Sequence, residues 1–199
     1  MNTRFRNTFL TAILLFNGVL SHVFAVAAYA GSDDNENRVR SHPVLELYEF
    51  EAADICDPQL NQVRMTVTGL TGGGILTLEL YNDPDHFLSK KGRVKRVRVP
   101  AGTGSQNVCM TYDELGTYAV AGYHDIDGNR KLKKNIIKVP REPFALSNNP
   151  KIKALRFPKF SESAFELVEG GANITLELVD LKKQKKAEKA ARKRERAAN

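Results

Sequence analysis

The chain has 199 residues, with 30 Lys and Arg against 23 Asp and Glu, a formal charge of +7, two cysteines and no tryptophan. The excess charge belongs to one end: residues 181–199 hold nine Lys/Arg and two Glu, a local +7, whereas residues 31–180 sum to −2. A body without a basic surplus excludes nucleic acid as the expected partner, because phosphate neutralisation dominates that kind of binding.

Residues 1–30 read as an export signal. Arg4 and Arg6 supply a positive start, "FLTAILLFNGVL" (9–20) an apolar centre, and "AYA" (28–30) the small residues ahead of a cut after Ala30. Asn17, Ser21 and His22 interrupt the apolar run, which falls short of the ~20 residues a spanning helix needs. No transmembrane span is expected in the mature protein, and the expected location is periplasmic or secreted. Residues 31–61 form a polar lead, in which "VLELYEF" (44–50) is a candidate edge strand.

Residues 62–180 carry period-two alternation. Val63, Met65 and Val67 alternate with Arg64, Thr66 and Thr68, and Leu76, Leu78 and Leu80 with Thr77 and Glu79. "VKRVRV" (94–99), "NVCMTY" (107–112), "GTYAVAGY" (116–123) and "ITLELV" (174–179) continue the pattern. Alternation places one row inward and one outward, and short strands between Gly, Pro, Asn and Asp turns predict an all-β fold. The expectation is an antiparallel β-sandwich of about seven strands, preceded by the signal helix and followed by the basic tail. "GLTGGG" (69–74) reads as a hairpin turn, and "DPDHFLS" (83–89) as a single helical turn capped by Asp83. Cys56 and Cys109 are expected to pair outside the cytosol, the rival being two free thiols.

One stretch looks ready for a ligand: "HDIDGNRKLKKN" (124–135). Asp125, Asp127 and Asn129 alternate as oxygen donors do at positions one, three and five of a calcium loop, and Leu132 suits the apolar position eight. Arg130 stands where the sharp turn wants Gly, Lys133 where a further donor belongs, and Ile136 where a bidentate carboxylate closes the shell. The expected form is therefore a long connection turned at Asp127-Gly128, in which Asp125 and Asn129 cap backbone N–H groups and "SNN" (147–149) packs nearby. Ca2+ held by Asp125, Asp127 and Asn129 is the alternative.

The segments "TVTGL" (66–70), "ILTLELYNDPDHFL" (75–88), "GTYAVAGYHDIDGN" (116–129), Pro140, "FALSNN" (144–149) and "AFELVEGGANITLEL" (164–178) follow one another in an order that resembles a bacterial domain-of-unknown-function family, number 2141. The resemblance covers roughly 60–180. It implies an immunoglobulin- or transthyretin-like sandwich, secreted or periplasmic, without an established activity. Some members carry one Cys before the first strand and another before the "GTYA" strand, which fits a Cys56–Cys109 bridge. Members more often have Gly and Asp where this chain has Arg130 and Lys133, which weakens a family-level metal site.

No catalytic residue is assigned. The motifs of zinc hydrolases, serine hydrolases and phosphate-binding loops are absent. His124 beside Asp125 suggests an acid/base pair, yet neighbours along a strand point to opposite faces. Tyr81, Phe87, Tyr118 and Tyr123 are expected as sandwich aromatics rather than a sugar platform. The alternating rows are expected to leave no pocket equipped for bond-breaking. The leading expectation is an exported, non-enzymatic binding or structural module of the cell envelope. Its tail, residues 181–199, is a disordered extension or a frayed helix that can meet anionic envelope polymers or lipid headgroups. The alternatives are a calcium-binding domain and a hydrolase-type enzyme around His124.

Overall fold

The alternating segments fold into eight strands: β1 (Gln62–Thr71), β2 (Ile75–Tyr81), β3 (Arg93–Pro100), β4 (Thr103–Thr111), β5 (Gly116–Asp125), β6 (Phe144–Leu146), β7 (Ala164–Leu167) and β8 (Ala172–Glu177). A one-turn helix α1 (Phe160–Ser163) precedes β7, and an 18-residue helix α2 (Leu181–Ala198) follows β8. The structure is a computed structural model that describes residues 45, 47–152 and 156–198. The export signal, its cleavage point and most of the polar lead lie outside the described residues.

Two sheets pack face to face. One has the order β4-β1-β8; in the other, β3, β2 and β5 run side by side and β6 and β7 share the far edge of β5. Val63, Met65 and Val67 of the first sheet meet Leu76, Leu78 and Leu80 of the second in one buried core. Each such side chain taken from water contributes about 1.5–3 kcal/mol. The all-β sandwich expected from the pattern is present. One pairing departs from the antiparallel rule: β1 and β8 run parallel, Val63 opposite Ala172 through Thr68 opposite Glu177.

"GLTGGG" is not a hairpin turn. Both edges of β1 are taken by β4 and β8, so the segment carries the chain across to β2 in the other sheet. Gly74 makes the crossing feasible, at φ +71 and so close to β5 that a Cβ would lie 2.1 Å from the Asp125 carbonyl oxygen. Likewise, the described part of 44–50 forms no edge strand; it curls into a 3-10 turn at Glu49–Glu51 that buries the Glu51 carboxylate. Residues 83–89 make hydrogen-bonded turns but no helix, and Asp83 caps them by accepting from the N–H groups of Asp85 and His86.

Cys56 and Cys109 are bonded. The segment that brings Cys56 to β4 is pinned by polar contacts. Asp54 N–H donates to the Cys109 carbonyl (3.0 Å), and buried Gln62 donates to the Ile55 carbonyl (2.8 Å) and Thr111 Oγ1 (2.9 Å). The basic tail is helical as α2, and its described side chains are exposed apart from half-buried Leu181. Among the described residues no helix is long and apolar enough to cross a membrane.

Candidate functional site

β5 ends at Asp125, and the chain leaves through the turn that the sequence marks at Gly128, where φ is +68. Asp125 acts as the cap expected of it: Oδ1 accepts from Asn129 N–H (3.2 Å) and Oδ2 from Arg130 N–H. Arg130 takes the left-handed conformation (φ +65) that a calcium loop normally assigns to glycine. Its guanidinium offsets that strain by bonding Glu51 and lying 4.3 Å over the Tyr48 ring.

The three candidate ligands lie together, Asn129 hydrogen-bonding Asp127 through its side chain, but only the two carboxylates turn an oxygen to a shared point. Asn129 turns its side-chain oxygen to Lys131 N–H (2.9 Å). The third carboxylate beside Asp125 and Asp127 is Glu142, with one oxygen of each lying within 4.8 Å of the others. Glu142 was not foreseen because it is remote in sequence. The β5–β6 register explains its arrival: Tyr123 faces Phe144, and continuing two residues sets Asp125 opposite Glu142. Burial pushes the Asp125 carboxyl up, and its hydrogen bond with Asp127 adds to the effect. Burial also raises Glu142, against a hydrogen bond from Lys133 N–H. The Lys133 ammonium binds Asp127 and holds its carboxyl at about 2. The Lys133 ammonium thus offsets part of the negative charge of the cluster.

"SNN" does not pack against this loop. Ser147 accepts from Val120 N–H (2.9 Å), well back along β5, while Asn148 and Asn149 donate to the Ala164 and Thr175 carbonyls. It ties β6 to β7 and β8. His124 is fully buried, and its Nε2–H donates to the Gly73 carbonyl (2.7 Å). Asp83, His86 and Ser89 have the composition of a triad on the 83–89 turns, and Asp83 does bind His86 Nδ1 (2.6 Å). The Ser89 hydroxyl, however, donates to the His86 carbonyl (2.8 Å). The aromatics disperse too. Tyr81, Phe87 and Phe160 stack edge to face, Tyr118 meets Tyr112, and Tyr123 lies on the outer face of the larger sheet.

That outer face holds the feature the pattern did not foresee, a cavity of about 820 Å³. Its floor is ordered by register. One row runs Arg98, Tyr123, Phe144 on β3, β5 and β6, with Thr77 of β2 fully buried between Arg98 and Tyr123 and outside the lining, and the next runs Arg96, Glu79, Ala121, Leu146. Polar residues that the alternation assigned to solvent are instead covered, Arg98 being 4% and Thr77 0% exposed. The connection between β5 and β6 and the segment around Phe157 form the walls.

Four guanidiniums meet two carboxylates here. Glu51, 2% exposed, binds Arg96, Arg98 and Arg130, and Glu79 binds Arg93 (2.5 Å). Burial alone would raise the Glu51 carboxyl, but the hydrogen bond and charge of Arg98, with Arg96 and Arg130, hold it below the usual range. Nε of Arg96, Nε of Arg98 and Oγ1 of Thr77 are buried without a hydrogen-bond partner among the described residues. Each such group costs about 1–3 kcal/mol. Among the described residues nine Lys and Arg line the cavity with one carboxylate, that of Glu79, and none of the lining residues is Ser, Thr, Cys, His or Asp.

Residues 65–175 match the protein-family model described as "Uncharacterized protein conserved in bacteria (DUF2141)". No curated protein and no solved structure matches the chain. The match spans β1 to β8 and takes in the carboxylate cluster as well as the floor of the cavity. By that match over more than half of its length, the chain belongs to the DUF2141 family of bacterial proteins.

Proposed function

We propose that this family member is an exported, non-enzymatic module of the cell envelope, periplasmic or secreted, held by α2 against anionic envelope polymers or lipid headgroups. The observation that carries the reading is the charge separation: α2 concentrates nine cations on an exposed helix, while the body it follows has no basic surplus. Each cation near an anionic surface contributes on the order of 1 kcal/mol, and salt weakens the attraction. α2 has no continuous apolar stripe, so it touches such a surface without inserting. Export is supported by the signal pattern of residues 1–30 and by the Cys56–Cys109 bridge. The non-enzymatic part is supported by the lining of the cavity, where five of the nine cations are guanidiniums that stay protonated and no Ser, Thr, Cys, His or Asp stands among the described residues.

The full mature chain is expected to sediment with anionic vesicles at low salt and to be released at about 0.5 M salt, beyond the Debye screening of its charges. A chain lacking residues 181–199 is expected to stay in the supernatant. Equal, salt-insensitive recovery of both forms would remove the tether.

A second reading, a calcium-stabilised loop, is favoured by the convergence of Asp125, Asp127 and Glu142. On this reading calcium displaces the Lys133 ammonium from Asp127. At concentrations tens of times its dissociation constant, calcium then stabilises by on the order of 2 kcal/mol, roughly 4–8 °C in Tm for a domain of this size. Glu142→Gln abolishes the response. Identical melts in calcium and in chelator end the reading.

A further inference from the structure

The cavity on the outer face of the larger sheet takes one lining residue, Leu181, from the start of α2 and none from the three clustered carboxylates, and neither reading above assigns it a ligand. Its floor is graded across the strands. At the β3 side lie Arg98 and Arg96, and at the β6 side Phe144 and Leu146, with Tyr123 and Ala121 between. Neighbouring strands stand roughly 4.8 Å apart, so the charged and apolar ends are about 14 Å apart. A volume of about 820 Å³ lies in the range of pockets that enclose small organic ligands. A small inorganic anion would meet the guanidiniums and leave the apolar end wet. A neutral hydrocarbon would fill that end and leave the cations unanswered.

The cationic end is also incompletely satisfied. Among the described residues Arg93, Arg96 and Arg98 share the two carboxylates Glu51 and Glu79, and Glu51 is bound by Arg130 as well. Arg98 is 4% exposed, and its Nε–H, like that of Arg96, has no acceptor among the described residues. A buried guanidinium with an unused N–H is a donor set shaped for an incoming carboxylate or phosphate oxygen.

We propose that the cavity binds an anionic amphiphile, its acidic head at Arg96 and Arg98 and its apolar body over Tyr123, Phe144 and Leu146. The positive wall attracts the head, and the graded floor fixes which way round the molecule lies. The acidic head and the medium-length apolar chain are shared by a fatty carboxylate and an alkyl phosphate, and both fit the donor set.

Calorimetry on the full chain tests this with dodecanoate and dodecyl phosphate, beside methyl dodecanoate, acetate and inorganic phosphate. Saturable one-to-one binding of either acidic amphiphile is expected, with the ester and the two small anions at least about tenfold weaker. Arg96→Gln is expected to weaken the acidic amphiphiles at least about tenfold, with little effect on the ester. Ala121→Phe, which fills the floor and leaves every charge in place, is expected to abolish binding of all three alkyl compounds. Lys138→Gln, on the exposed wall, supplies a charge variant that leaves the buried cluster intact, with a smaller expected loss. Absence of binding to the folded wild type, equal affinity for the ester, equal affinity for inorganic phosphate, or unchanged affinity in Arg96→Gln would each overturn the proposal.

Discussion

Glu51→Gln is expected to destabilise the protein by about 3–5 kcal/mol, a fall in Tm on the order of 10 °C. The substitution keeps the shape of the side chain and removes its charge, which leaves Arg98, 4% exposed, facing Arg96 and Arg130 without a counter-ion. A buried cation stripped of its partner costs far more than an exposed pair gains. Glu49→Gln, two residues earlier on the same turn and exposed, is the matched control and should stay within about 0.5 kcal/mol of wild type. The same carboxylate sets an acid limit. Its folded pKa lies below the ordinary value of 4.5, so its contribution is complete above that pH and is lost as pH falls through the lower, folded value. Asp125 and Glu142 are shifted upward; their contribution is complete below the ordinary carboxyl range and is lost as pH rises through their raised values. Urea titrations at pH 3, 5 and 7 should therefore show the wild type losing its advantage over Glu51→Gln only at the lowest pH. A constant difference across all three would remove Glu51 as the acid-sensitive group.

Reduction of the Cys56–Cys109 bridge, or the Cys56→Ala/Cys109→Ala pair, is expected to cost about 2–5 kcal/mol. The bridge spans a sequence separation of 53, for which the chain-entropy account puts the upper figure near ~4 kcal/mol. Cys56 is exposed and Cys109 2% exposed, so a reductant reaches the bond from the Cys56 side. The fold should survive the loss, because two hydrogen bonds from Asp54 to Thr111 and Cys109 hold the same segment to β4, and Gln62 of β1 binds both Ile55 of the segment and Thr111 of β4. The measurable result is a lower denaturant midpoint in reductant with native circular dichroism below the transition. A midpoint indifferent to reductant would show that the reduced, unfolded chain is no freer than the oxidised one.

The elements that the sequence displays most clearly are those whose signal is local. β1 to β5 and β8 each span six or more residues of alternation and could be read directly. β6 and β7, with three and four residues, are too short to show a period, although both fall inside segments that carry the family resemblance. Sheet membership is a matter of long-range pairing, so "GLTGGG" looked like a hairpin while it joins two layers. The carboxylate cluster was half visible. Asp125 and Asp127 stand in one motif, whereas Glu142 arrives only through the β5–β6 register. The arginine cluster was hidden more deeply. Arg96 and Arg98 occupy the polar row of β3, and alternation cannot tell a row facing solvent from one roofed by the β5–β6 connection. Glu51 directly follows the stretch 44–50 whose apolar spacing suggested a strand, and its burial goes with the cations it meets.

The parallel pairing of β1 with β8 sets an order on synthesis. β1 is the middle strand of its sheet, yet one of its two flanks stays bare until residues 172–177 have left the ribosome. Until then the nascent protein displays a long, apolar ribbon with open amide and carbonyl groups, a template for unwanted association. A late-arriving strand therefore acts as the latch of the smaller sheet. Chains cut short before Ala172 should accumulate as aggregates rather than as a shorter version of the same domain.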